Sequence, residues 1–92
     1  MLEVRFFVPF EETLDNVLEE ISNINLVMSQ LYPLSLSPSL LVTVEIVCHE
    51  LSTAMISWKL ANCGFANIKQ TYREAGCMQL RAEKLFEEEI PF

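Results

Sequence analysis

Glycine is almost missing from this chain: Gly64 and Gly76 are the only two in 92 residues. Loops that cradle phosphate need several glycines so that backbone amides can approach the ligand, and this scarcity argues against a nucleotide-binding loop. Basic side chains are also few, six against 13 acids, for a net charge of -7. Arg5, Lys59, Lys69, Arg73, Arg81 and Lys84 are scattered, whereas a nucleic-acid backbone or an anionic membrane surface is bound by clustered cations. Neither is expected as a partner. The longest apolar stretch, residues 40–48, is broken by Thr43 and Glu45 and is far too short to span a bilayer. A basic segment followed by an apolar one, the mark of a signal peptide, is not seen at the N-terminus. Cysteine appears three times, an odd number without paired spacing. That usage suits free thiols in a reducing compartment, so a cytoplasmic location is expected.

What the chain does have is apolar surface, 51% of its residues. This is enough for one cored domain over residues 1–92 and argues against intrinsic disorder. The dominant signal is a change of period that occurs twice. Leu2, Val4, Phe6 and Val8 alternate like a strand, and Leu14, Val17, Leu18, Ile21 and Ile24 then follow helical spacing. Val42, Val44 and Ile46 alternate again before Leu51, Ala54, Met55 and Trp58 return to helical spacing.

Residues 2–8 read as a strand, which Pro9 ends because it cannot donate a ladder bond. Phe7 interrupts its polar face and predicts a strand covered on both sides, hence central. Residues 11–24 read as an amphipathic helix whose outer face carries Glu12, Asp15, Asn16, Glu19, Glu20 and Asn23. Residues 25–32 either prolong that helix, since Met28 and Leu31 continue its stripe, or form a second strand. The strand is favoured, because Asn23 and Asn25 are poor helix interior. Residues 33–39, with two prolines and three serines, read as a loop. Residues 40–48 are the strongest strand. A second helix over residues 50–62, stopped by Gly64, should bury Leu51, Ala54, Met55, Trp58 and Ala61. Its other apolar strip, Ile56, Leu60 and Cys63, is then left for a partner. Residues 65–72 and 77–86 read as a hairpin, and residues 87–92 as a short acidic tail.

The expected fold is thus α+β: a ferredoxin-like βαββαβ sandwich with an extra C-terminal strand, its sheet antiparallel and its two helices on one face. No motif for chemistry accompanies it. Cys48-His49-Glu50 lies at a strand-to-helix junction, but neighbouring strand residues point to opposite faces and no third group is supplied locally. Cys48 is expected to pack as a small hydrophobe. Cys48, His49, Cys63 and Cys77 lack the spacing that puts two metal ligands on one loop or helix face. No enzyme activity, metal or other cofactor is expected. Glu45, in the middle of the strongest strand, is expected to face outward or to pair with Arg5 or Lys69.

The stretch from Phe6 to Tyr72 resembles an ACT domain, a small regulatory module of amino-acid metabolism. The likeness lies in Val8-Pro9-Phe10 at the end of a first strand, then a helix with Leu14, Val17, Leu18 and Ile21. It continues in Asn23-Ile24-Asn25-Leu26, in Val42-Thr43-Val44-Glu45-Ile46, and in the helix-to-strand turn Leu60-Ala61-Asn62-Cys63-Gly64-Phe65. Where the family has a glycine between first strand and first helix, this chain has Phe10-Glu11-Glu12-Thr13. The resemblance implies a ligand-sensing, dimeric regulatory module, with Thr13, Asn23 and Asn25 as contacts for a small polar ligand. The residues themselves also support an acidic protein-binding module of the inhibitor, antitoxin or immunity type. That alternative would use Glu12, Asp15, Glu19 and Glu20 toward a basic protein, with Ile56 and Leu60 as apolar contacts.

Overall fold

The computed structural model describes residues 1–88. In chain order it contains β1 (Leu2–Val8), α1 (Leu14–Leu31), β2 (Ser39–His49), α2 (Thr53–Asn62), β3 (Ala66–Glu74) and β4 (Cys77–Glu87). Short 3-10 turns at Tyr32–Leu34 and Glu50–Ser52 follow α1 and precede α2. The four strands form one mixed sheet in the order β1-β2-β4-β3, with β1 parallel to β2 and the other neighbours antiparallel.

The α+β class and the shared interior are as expected, but the strand order is not the ferredoxin-like one. The sheet is also mixed where an antiparallel one was expected, because β1 and β2 are joined by a helical crossover that makes them parallel. The difference in order arises at residues 25–32, of which 25–31 prolong α1 and Tyr32 opens the following 3-10 turn, so that none forms a strand. Val17, Ile21, Ile24 and Met28 make one continuous buried row along α1. Each asparagine costs a helix interior less than about 0.7 kcal/mol, whereas burying a side chain such as Met28 returns about 1.5–3 kcal/mol. Packing therefore outweighs propensity. Four strands remain among the described residues where five were expected, and β1 lies at an edge of the sheet, not at its centre. Phe7, taken as a sign of cover on both sides, is 60% exposed.

Both helices lie on one face. The crossovers β1-α1-β2 and β2-α2-β3 advance in the same direction across the sheet, and such crossovers have one hand almost without exception. The core joins Val17, Ile21, Ile24 and Met28 of α1 and Ile56 and Leu60 of α2 to Leu40, Val42, Val44, Ile46 and Cys48 of β2. Leu80 and Ala82 of β4 complete it. Thr13 caps α1 by accepting the Asn16 N–H at 3.4 Å. Tyr32 donates its hydroxyl to the Pro38 carbonyl at 3.0 Å, tying down the loop that leads into β2. Burial, then the Glu88 and Glu87 carboxylates, push the Tyr32 phenol up from its ordinary value.

α2 is rotated half a turn from the expected orientation. Ile56 and Leu60 are 0% exposed, so they are core and not partner contacts. Leu51 and Trp58, expected inside, are 96% and 60% exposed, and Ala54, Met55 and Ala61 also face outward. Both stripes are apolar, so hydrophobicity alone does not choose between them. The phase is set at the two ends of the helix. The 3-10 turn at Glu50–Ser52 leads in, and a paired cap closes it: Gly64 N–H to Ala61 O at 3.0 Å and Phe65 N–H to Leu60 O at 2.9 Å. With the helix docked this way, Leu60 and Phe65 are buried together.

The hairpin of β3 and β4 forms as expected, with Gly76 at φ +78° in its turn. Glu87 belongs to β4; residues 89–92 of the expected acidic tail lie outside the described residues. Truncating Ile56 to alanine should destabilise the protein by about 2–5 kcal/mol, while Met55→Ala should cost under about 1 kcal/mol. Urea unfolding of the two variants checks the phase of α2, and equal losses would contradict it.

Candidate functional site

A charged residue interrupts the core-facing row of β4. Met78, Leu80, Ala82 and Phe86 alternate toward the helices, and Lys84 occupies the same row opposite Val42. Its ammonium donates to Asn25 Oδ1 on α1 at 2.7 Å and to the Cys63 carbonyl at the end of α2 at 2.8 Å. It also lies 4.7 Å from the centre of the Phe86 ring. A cation at a helix C-terminus is favoured by the free carbonyls there, and the ring face adds to that attraction. Lys84 thus links sheet, α1 and α2, and its donors are committed to structure. Sequence reading missed it, although a lysine in an otherwise apolar alternation was the available signal.

The three expected ligand contacts do not converge. Thr13 is the N-cap of α1, whereas Asn23 and Asn25 lie 10 and 12 residues further on, about 15–18 Å along the axis. Asn23 is exposed, and Asn25 is half-buried and engaged by Lys84. The expected acidic contacts Glu12, Asp15, Glu19 and Glu20 are all exposed, and Asp15 and Glu19 are successive residues of one helical face.

At the other end of the sheet, Phe10 meets the His49 ring edge-on with centroids 4.8 Å apart. Cys48, beside His49, is buried in the core. Burial pushes its thiol up from the ordinary value of 9.0, with Cys77 adding to the rise. A thiol held protonated is a poor nucleophile. Among the described residues, no three His, Cys, Asp or Glu side chains come together as metal donors. No helix there is long and apolar enough to cross a membrane.

The face of the sheet away from the helices is mixed and uncovered by any described helix: Phe7, Leu41, Val47 and Leu85 lie on it beside Glu45, Gln79 and Arg81. Glu45 accepts from Gln79 Nε2 at 3.0 Å and lies 4.0 Å from Arg81 Nε. Its partner is therefore Arg81 on β4, not Arg5 or Lys69. A shallow cavity of about 160 Å³ is lined by Asn67, Lys69, Arg81, Ala82 and Glu83. Asn67 stands at φ +54° in a bulge of β3 and donates to Glu83 at 2.6 Å.

An apolar strip lies on the outer side of α2, where Met55 and Trp58 are exposed and follow the exposed Leu51 of the preceding 3-10 turn. Comparison with protein-family models, with curated proteins and with solved structures finds no match to this chain.

Cys48 makes a simple check of the site chemistry. In native protein near pH 8, a thiol reagent should label Cys63 and Cys77, both half-buried, well before Cys48. Because the folded state holds the Cys48 proton more tightly than the unfolded chain, its contribution to stability is complete below the ordinary thiol value. It is lost as pH rises through the raised one. Labelling of Cys48 as fast as Cys77 would contradict this assignment.

Proposed function

We propose that this chain is a non-enzymatic regulatory module, similar to ACT domains in setting two helices on one face of a small sheet, that works by docking a protein partner. The observation that carries the reading is the outward ridge of α2. Met55 and Trp58 project from the side of α2 away from Ile56 and Leu60, and Leu51 is exposed in the turn before it, so this segment presents apolar surface to the core and to solvent alike. Contiguous exposed apolar surface on a small protein marks an interaction site, and a tryptophan flanked by aliphatic side chains is the usual anchor of one.

The acidic face of α1 gives that partner its charge. Asp15, Glu19 and Glu20 have no compensating Lys or Arg on the same helix, and Glu12 lies just before its N-cap. α1 and α2 share one layer, so a basic protein would be drawn toward the face that also bears the ridge. A cytoplasmic setting belongs to this reading and is supported by the three free thiols. Sensing of a small polar ligand through Thr13, Asn23 and Asn25 is the weaker version, since those side chains are spread along α1.

Immobilised protein should therefore capture a basic partner in a salt-dependent manner, with retention falling steeply between about 0.05 and about 0.5 M salt. The double variant Met55→Ser/Trp58→Ser should lose capture by at least about tenfold, and Asp15→Lys/Glu19→Lys should slow association. Capture unchanged by the ridge variant would remove this proposal. A thermal-shift screen with small polar ligands tests the sensing version, and a raised midpoint would favour it.

A further inference from the structure

The two edges of the sheet are built differently. β3, at one edge, has two register irregularities against β4 and carries Lys69 and Arg73. Bulges and basic side chains of this sort are what keep a sheet edge from pairing with another chain. β1, at the other edge, has no such irregularity: its pairing with β2 runs without a break from Leu2 to Val8, its one basic residue, Arg5, stands two positions from Glu3, and Pro9 comes only after it. Among the described residues no strand pairs with the outward backbone groups of β1, which can continue a ladder.

We infer that β1 pairs antiparallel with β1 of a second copy of this chain, about a two-fold axis at Val4. The sequence of the strand is self-complementary around that residue. Leu2-Glu3-Val4-Arg5-Phe6 reads as apolar, acid, apolar, base, apolar. With Val4 opposite Val4 of the second copy, each Glu3 lies opposite the other copy's Arg5, and each Leu2 opposite the other copy's Phe6. The same register brings Met1, 72% exposed, opposite Phe7 of the second copy. Opposite residues in such a pair stand about 4.5–5.5 Å apart at Cβ, so each of these pairs is in contact. Within one copy, Glu3 and Arg5 are exposed and neither forms an ion pair among the described residues.

The neighbouring registers are excluded by charge. Because side chains alternate between faces, only shifts that keep matched faces are open. Moving the axis to Glu3 sets Glu3 against itself, and moving it to Arg5 sets Arg5 against itself. Like charges directly opposite are destabilising. The Val4 register is the one that turns both residues into attractive pairs, and the two-fold repeats every contact.

The helical layer agrees with this seam. Asn25 marks the flank of α1 turned toward α2 through Lys84. Val27 and Leu31 lie about 200° and about 240° around the helix from Asn25, on the flank toward the β1 edge, and both are exposed. In the two-fold pair this flank meets its counterpart above the seam. The resulting eight-stranded sheet ends on both sides in β3, whose bulges stop further addition, so the assembly closes as a dimer and does not grow.

The inference rests on the docking reading only in taking surfaces as the working parts; it makes no use of the α2 ridge. Sedimentation equilibrium of the full chain should give twice the 10.6 kDa chain mass over part of the range from about 10 μM to about 1 mM. Glu3→Arg alone and Arg5→Glu alone each convert two attractive pairs to repulsive ones, and each should raise the dimer dissociation constant at least about tenfold. The combined variant Glu3→Arg/Arg5→Glu restores opposite charges and should return to within about threefold of the parent. Matching circular dichroism and urea midpoints check that all three remain folded. A monomer throughout the range, or a dimer indifferent to the single exchanges, overturns the inference. So does failure of the combined variant to recover, or loss of the dimer in Met55→Ser/Trp58→Ser. Partner capture by the α2 ridge should survive Glu3→Arg, so the two readings fail separately.

Discussion

Burial of β2 along its whole length is the constraint on which the rest of the structure depends. Leu40, Val42, Val44 and Ile46 lose essentially all contact with water on the helical face, and Thr43 and Val47 are buried on the other. Each fully buried aliphatic side chain in that row contributes about 1.5–3 kcal/mol before the cost of ordering the chain. A strand with this much apolar surface needs a neighbour on both edges and a cover on at least one face. β1 and β4 supply the edges, and α1 and α2 supply the cover. With both helices on one side, the other side of the sheet carries Glu45, Gln79 and Arg81, which satisfy one another, beside Phe7, Leu41, Val47 and Leu85.

Lys84 shows how one polar residue settles the geometry of an apolar layer. Its ammonium holds α1 at Asn25 and the end of α2 at Cys63, and a helix end docked against a sheet needs such a donor for its last carbonyls. Gly64 is part of the same junction. Its φ of +90° disfavours other residues, and a Cβ there would come within 3.2 Å of the Lys84 side chain. The tight end of α2 and the lysine beneath it are therefore one feature. Together with the lead-in turn they turn Ile56 and Leu60 inward and leave Leu51, Met55 and Trp58 outside.

Much of this was legible in the order of residues. The alternation of Val42, Val44, Ile46 and Cys48 marked a strongly buried strand, Gly64 marked a helix end, and the hairpin around Gly76 was plain from its flanking strands. The errors share a cause. At residues 25–32 local propensity pointed to a strand, but Met28 completed a row that only the sheet could bury. In α2 two apolar stripes of similar strength competed, and nothing within the helix distinguishes them. The acidic residues of α1 were correctly placed on its outer face, because charge on an amphipathic helix has only one inexpensive position. Thr13, Asn23 and Asn25 were grouped by proximity in sequence, and that grouping dissolved once the segment between them became continuous helix.

Amino-acid order by itself determined the class of the domain and the strand and helix character of most segments. These follow from periodicity and composition, which act over a few residues at a time. Tertiary structure alone decided the length of α1, the edge position of β1, the side of α2 that meets the core, and the partner of Glu45. Each of those depends on which distant segments share a boundary, and that choice belongs to the packing of the whole sheet against its helices.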